Sequence, residues 1–276
     1  MNPSFQPKLA LNDNEIHLWV TTPLQCIDKP DLLARYKQLL TVDETKRQER
    51  YIFEDDRRDA LITRAFIRDL LSNYADVTPK NWRFKKGEKG KPEIVSPPIP
   101  IRFNLSHTKN MIICAVTLNN DVGCDVENIS RKSEVLKIAH RYFSDSEADE
   151  LFSLPEAKQR SRFFDYWTLK ESYIKACGLG LSIPLEDFSF QIEPTLSERF
   201  NENIHLSVVP KRNDQPELWK SWLFYPNDEH RVALSIKNLN AITTEKQARE
   251  EQTISQKIDI KKGNDNHLSL PYTIRF

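Results

Sequence analysis

The sequence predicts an α/β (α+β) protein made of two α/β halves of similar order. Three observations carry this. First, Ile16-His-Leu-Trp-Val20 reads as a strand and is followed by three stretches with helical spacing. Second, two strand-like runs, Met111 to Leu118 and Val122 to Ile129, lie at mid-chain. Third, the second half again places helical stretches before several short strand-like segments. A chain of 276 residues can bury a substantial core as one large domain or two ordinary ones.

The elements follow in order. Asp31 to Leu40 and Asp43 to Phe53 have helical spacing, and Asp56 to Tyr74 sets Leu61, Ala65, Leu70 and Tyr74 near one stripe. Pro79 ends that pattern, and Arg83 to Pro100 reads as a loop rich in lysine, glycine and proline. Met111 to Leu118, the turn Asn119-Asn120-Asp121, and Val122 to Ile129 read as a hairpin. On the return strand Val122, Cys124 and Val126 face a core, and Gly123, Asp125 and Glu127 face away. Glu134 to Tyr142 reads as a helix, and Ser144-Asp-Ser-Glu147 is a capping box for the next. Pro155 interrupts before a long helix from Ala157 to Ala176, which Gly178 and Gly180 can end. Strand-like segments follow at Phe188 to Ile192, His205 to Val209, Trp219 to Tyr225 and Arg231 to Ile236.

Residues 241 to 265 are polar and without a period, so a flexible tail is expected. Beyond it Leu268, Leu270, Tyr272, Ile274 and Phe276 alternate like a short strand. The expected organisation is 1–118, 119–240 and a tail over 241–276. A chain ending near Leu239 is expected to stay soluble and active.

Forty basic and forty acidic residues cancel, which argues against a dedicated nucleic-acid binder. Cys26, Cys114, Cys124 and Cys177 form no C-x-x-C pair and no zinc spacing, as expected of reduced thiols in a cytoplasmic protein. No signal peptide is seen, and the apolar run Met111 to Val116 is too short to span a bilayer.

The chemistry concentrates in few places. Asp125 and Glu127 are two apart on a strand, so both carboxylates leave one face, beside a glycine that admits a ligand or another backbone. Glu171 and Lys175 are spaced i,i+4 on the long helix, with Trp167 and Phe163 on the same stripe. A wholly solvated face does not normally carry such aromatics, so this stripe is expected to face a cleft. Asp125, Glu127 and Glu171 with nearby cations suit one hard divalent metal ion, Mg²⁺, holding a phosphate-bearing substrate. Ser106 and His107 lie in no G-x-S-x-G elbow, and Lys46, Arg47 and Arg50 form a basic helix face.

Four motifs occur in order: Gly90-Lys91-Pro92, Phe103-Asn104-Leu-Ser106-His107, Gly123-Cys-Asp125-Val-Glu127 and Trp167-Thr-Leu-Lys170-Glu171-Ser-Tyr-Ile-Lys175. Together they resemble the surfactin-type 4′-phosphopantetheinyl transferases, in a layout running from about residue 15 to 237. The resemblance implies two related subdomains with the active site in the cleft between them. It implies coenzyme A as co-substrate and Mg²⁺, for which Mn²⁺ can substitute, on Asp125, Glu127 and Glu171. Glu127 and Glu171 share the roles of ligand and serine-activating base, which the sequence does not divide. Lys175 is implied as a contact to the diphosphate, and Ser106 and His107 as phosphate-binding residues. Lys46, Arg47 and Arg50 would hold the 3′-phosphate. The place of a binding arginine of some relatives falls on Asp59, so Arg58 is the expected substitute. Lys91 would lie against the adenine end. The implied activity is that of a holo-[acyl-carrier-protein] synthase, with an apo acyl or peptidyl carrier protein as partner, in a cytoplasmic monomer that binds neither nucleic acid nor membrane. The competing readings are a metal-dependent phosphate-ester hydrolase, which transfers to water, and a non-catalytic coenzyme A binding protein.

Overall fold

A computed structural model describes residues 9–87, 89–238 and 271–276. The chain enters on β1 (Glu15–Thr21) and continues through α1 (Leu24–Ile27), α2 (Pro30–Leu39), α3 (Val42–Glu49) and α4 (Glu54–Leu71). The helix expected over 43–53 stops at Glu49. Side chains bond the backbone at this corner: Gln48 donates to the Arg57 carbonyl at 2.9 Å and Arg57 to the Tyr51 carbonyl at 2.6 Å. The segment expected to be a loop holds a small hairpin, β2 (Phe84–Lys86) with β3 (Pro92–Ile94).

Then come β4 (Ile101–Thr108), β5 (Met111–Leu118), β6 (Val122–Asn128), α5 (Val135–Tyr142), α6 (Asp145–Ser153) and α7 (Glu156–Cys177). The capping box forms as expected, Ser144 with Glu147, and Gly178 ends α7 at φ 69°. The remaining strands are β7 (Phe188–Ile192), β8 (Phe200–Asn201), β9 (Ile204–Val208), β10 (Trp219–Asn227), β11 (His230–Lys237) and β12 (Tyr272–Arg275).

Two four-stranded sheets form, ordered β12-β1-β5-β4 and β6-β11-β10-β8. The expected hairpin of β5 with β6 does not exist. β5 already has β1 on one edge and β4 on the other, so no edge is left for β6, which pairs with β11 instead. The hairpin here is β4–β5, closed by Lys109-Asn110 with Asn110 at φ 64°.

The alternation on β6 holds, but its second face is not open to solvent. Val122, Cys124 and Val126 join Ile16, Leu18, Ile113, Leu234 and Ile236 in an apolar layer shared by both sheets. α7 covers the other face. A Cβ on Gly123 would sit 1.9 Å from the Ser172 carbonyl oxygen and 2.4 Å from the Ala176 nitrogen, so only glycine allows this approach. The sequence expectation of a close backbone neighbour is met by a helix of the chain itself.

The expected flexible tail is docked at its end. β12 adds to the edge of β1 with Glu15 opposite Arg275 and Leu18 opposite Tyr272. Ile274 is buried in the apolar layer, and Arg275 pairs with buried Glu15 at 3.0 Å. The alternation read from Tyr272 to Phe276 is therefore a docked strand, whereas Leu268, Leu270 and the stretch 241–265 lie outside the described residues. Deleting residues 271–276 is expected to cost about 3 kcal/mol, chiefly through loss of buried Ile274 and its ladder bonds. Chemical denaturation checks this, with an unchanged midpoint as the contrary result. No helix among the described residues is long and apolar enough to cross a membrane.

Candidate active site

The two sheets meet where β4 runs beside the free edge of β6. Side chains of β4 satisfy the backbone there: Asn104 Oδ1 accepts from Cys124 N at 2.9 Å, and Ser106 Oγ accepts from Val126 N at 3.3 Å. The alternating Asn104 and Ser106 thus stitch the two sheets together, a reason for both residue types that the strand pattern alone does not supply.

Ser106 Oγ donates to Asp125 Oδ1 at 2.8 Å. Lys175 Nζ, reaching across from α7, donates to Asp125 Oδ1 at 2.6 Å and to Ser106 Oγ at 3.0 Å. Residues of three elements, β4, β6 and α7, therefore close on one point. Burial works against the Lys175 charge, but Asp125, Cys124 and Glu171 together outweigh it, and the ammonium's pKa is raised.

Trp167, Glu171 and Lys175 form the partly exposed stripe of a helix whose other positions nearby are buried. Trp167 stacks on Phe163 with centroids 5.8 Å apart, which fixes the base of the stripe. Burial and the Asp125 charge push the Glu171 pKa up. The same two causes push Glu127 up to about 7 against the pull of Arg131. Arg131, unmarked by any motif, bonds Glu127 Oε2 at 3.0 Å.

No metal-binding group of three acidic, histidine or cysteine side chains is assembled among the described residues. Lys175 holds Asp125, and Arg131 holds Glu127. The donor set nevertheless fits a hard divalent cation. Asp125 Oδ2 is buried without a hydrogen-bond partner among the described residues, and the charges of Asp125, Glu127 and Glu171 reach one another.

A hollow of about 410 Å³ opens beside these acids, lined by Lys91, Pro92, Asn104, Glu171, Lys175 and Gly178 among others. Lys91 donates from the β2–β3 hairpin to the Lys175 carbonyl at 3.1 Å, tying the hairpin to the C-terminal end of α7. Burial lowers its pKa. His107, on β4, is not among the residues that line this hollow. Partial desolvation and the Lys175 charge lower its pKa, and the charges of Asp59 and Arg64 also reach it.

The basic helix face separates into two groups. Arg47 and Arg50 line a second hollow together with Gln48, Tyr51 and Arg64. Lys46 is exposed and not among its lining residues. Arg58 is engaged by Asp55 at 2.8 Å and Asp59 at 3.4 Å, so the substitute expected for the arginine place at Asp59 is turned to its own helix. Arg64, five residues further along, is the cation of α4 among the residues that line the hollow.

Comparison with known proteins gives the family. The family model "4′-phosphopantetheinyl transferase superfamily" matches residues 121–235, and "4′-phosphopantetheinyl transferase, N-terminal" matches residues 29–119. The 4′-phosphopantetheinyl transferase HetI of Nostoc sp. is 35% identical over 192 residues, 68% of this chain and 79% of that one. The chain belongs to the 4′-phosphopantetheinyl transferase superfamily. The 4′-phosphopantetheinyl transferase Sfp of Bacillus subtilis (strain 168) is 31% identical over 159 residues, covering 57% of this chain and 69% of its own. That of Aneurinibacillus migulanus, gsp, is 34% identical over 173 residues, 63% of this chain and 69% of its own. Membership of this superfamily accords with the order of the four motifs and with the mixed helix-and-sheet fold.

Proposed function

We propose that this chain transfers the 4′-phosphopantetheine group of coenzyme A to a serine of an apo acyl or peptidyl carrier protein, giving holo-carrier and 3′,5′-ADP. The observation that carries this is the closure of Ser106, Asp125 and Lys175 at the sheet junction, with Glu127 and Glu171 beside it. Asp125, Glu127 and Glu171 would hold Mg²⁺, or Mn²⁺ in its place. When bound, the ion supplies positive charge against the diphosphate and the departing nucleotide.

The chain's own groups do the rest. Lys175 sets a cation beside the bond that breaks, and His107 adds a hydrogen-bond donor to the phosphates. One of the two raised carboxylates, Glu127 or Glu171, takes the proton of the carrier serine. Arg47, Arg50 and Arg64 suit the nucleotide's 3′-phosphate, since planar guanidinium groups match phosphate oxygens. Residues 1–118 would then carry the nucleotide contacts and 119–240 the metal carboxylates. Asp125, Glu127, Glu171 and Lys175 all come from one chain, which supports a monomer, and the reduced-thiol pattern supports the cytoplasm.

Intact mass of an apo-carrier after incubation with coenzyme A and Mg²⁺ tests this reading. A gain on the order of 340 Da, the phosphopantetheine group, is expected. Consumption of coenzyme A without that gain would point to hydrolysis, and binding without consumption to a non-catalytic role. Two kinds of variant should also fail differently. Lys175→Ala is expected to lower kcat at least about tenfold, because its charge acts at the reacting phosphate. His107→Ala and Arg47→Ala should mainly raise KM for coenzyme A. Dephospho-coenzyme A should carry a smaller penalty in these two variants than in the wild type. An equal penalty throughout would displace the 3′-phosphate from this hollow.

A further inference from the structure

The loop after β6 carries a cation that no motif marks. Arg131 stands four residues beyond Glu127 and bonds its carboxylate at 3.0 Å. The same guanidinium lies over the Phe164 ring, 5.0 Å from its centroid. The backbone beneath it is pinned by Arg160 of α7. Arg160 donates to the carbonyl oxygens of Ile129 at 2.7 Å and Ser133 at 3.1 Å, and also to that of Arg131. Arg160 itself packs on the other contact of Phe164, 5.3 Å from the ring centroid. The loop is therefore held while the Arg131 side chain, 41% exposed, has room to turn.

We propose that Arg131 is an exchangeable internal counter-ion, which neutralises Glu127 when no divalent cation is bound and gives up that carboxylate when one binds. This rests on the reading of Asp125, Glu127 and Glu171 as metal ligands. Three carboxylates around one partly dry cleft repel one another, and without a cation they would drive each other apart or take up protons. Lys175 answers Asp125 on one side, and Arg131 answers Glu127 on the other. The two partners are not equally fixed. Lys175 is also bonded to Ser106 and is 28% exposed, whereas Arg131 is more open and already lies on an aromatic face that can keep it once Glu127 is released. The arginine end of this pair is open to water although Glu127 is mostly buried, so a divalent ion can take over the carboxylate while Arg131 is solvated. The cleft would then keep its shape between turnovers, and metal occupancy would be a competition that Arg131 moderates. Arg131 is in this sense a positioning residue that acts through Glu127.

The test measures Mn²⁺ binding directly, by electron paramagnetic resonance, on the full chain without coenzyme A at pH 8.0. Removing the competitor in R131Q is expected to tighten Mn²⁺ binding at least threefold, while R131K, which keeps the charge, stays near wild type. E127Q should weaken binding, and E127Q/R131Q should bind no tighter than E127Q. In the intact wild type, saturating Mg²⁺ should shift the Arg131 Nε–H resonance in nuclear magnetic resonance spectra. Folded R131Q with unchanged or weaker Mn²⁺ affinity, or an Arg131 resonance that Mg²⁺ leaves in place, overturns the exchange. A wild type that binds no Mn²⁺ overturns the metal reading itself, and the exchange falls with it.

Discussion

Replacing Asp125 or Glu171 by alanine is expected to lower kcat/KM at least about a hundredfold, roughly 3 kcal/mol of transition-state stabilisation. Asp125 is the centre of the site. Its Oδ1 accepts from Ser106 and Lys175, and its Oδ2 is buried and free for a further partner. Alanine there leaves Lys175 half-buried without its counter-charge and removes one of the three acids at once. Among the described residues Glu171 makes no such hydrogen bonds, but burial and the charge of Asp125 raise its pKa. Its loss should leave the Ser106–Asp125–Lys175 closure intact, so Glu171→Ala separates loss of a carboxylate from collapse of the site. Circular dichroism should stay near wild type for Glu171→Ala. Near-normal turnover by either variant would end the three-carboxylate reading.

The second large effect lies one residue away and concerns folding. Lys170→Met is expected to destabilise the protein by about 3–5 kcal/mol, because it leaves a buried carboxylate unpaired. Lys170 is fully buried. Its ammonium donates to the carbonyls of Leu185 at 2.8 Å and Phe188 at 2.6 Å and pairs with Glu147 at 2.7 Å. Glu147 in turn accepts from Ser144 N at 3.1 Å and Phe190 N at 2.9 Å. This knot joins α6, α7 and β7, and it sets the rotation of α7 that aims Glu171 and Lys175 at β6. Lys170→Met/Glu147→Gln should recover part of the loss, since no unpaired charge then remains. Urea unfolding of the single and double variants measures both. A single variant as stable as the wild type would show that water or a shifted side chain meets Glu147.

Much of the site was legible because its signals are local. Two acids at strand spacing must share a face, and a glutamate and lysine four apart on a helix must share another. The capping box at Ser144 and the stop at Gly178 are likewise decided by neighbours in sequence. Lys170 was visible inside its motif but not its burial, since a lysine ordinarily reads as a surface residue. Arg131 gave no signal, because one basic residue in a polar loop resembles any other until its partner is placed. The tail was misread in part because a four-residue strand is too short to stand against a polar background, although its alternation was present.

What the sequence by itself determined is the set of elements and donors: the helical and strand periods, the three carboxylates, Lys175, and the ordered motifs of the superfamily. Tertiary structure alone decided which strands pair. β6 joins β11 because β1 and β4 already occupy both edges of β5, and β12 returns from the far end of the chain to cover β1. It also decided that Asn104 and Ser106 stitch two sheets, that α7 lies against Gly123, and that Arg131 pairs with Glu127. Side-chain direction follows from local backbone geometry, which spacing encodes. Edge availability, close approach and ion pairing depend on which distant segments meet, and that is set by burial of the whole chain.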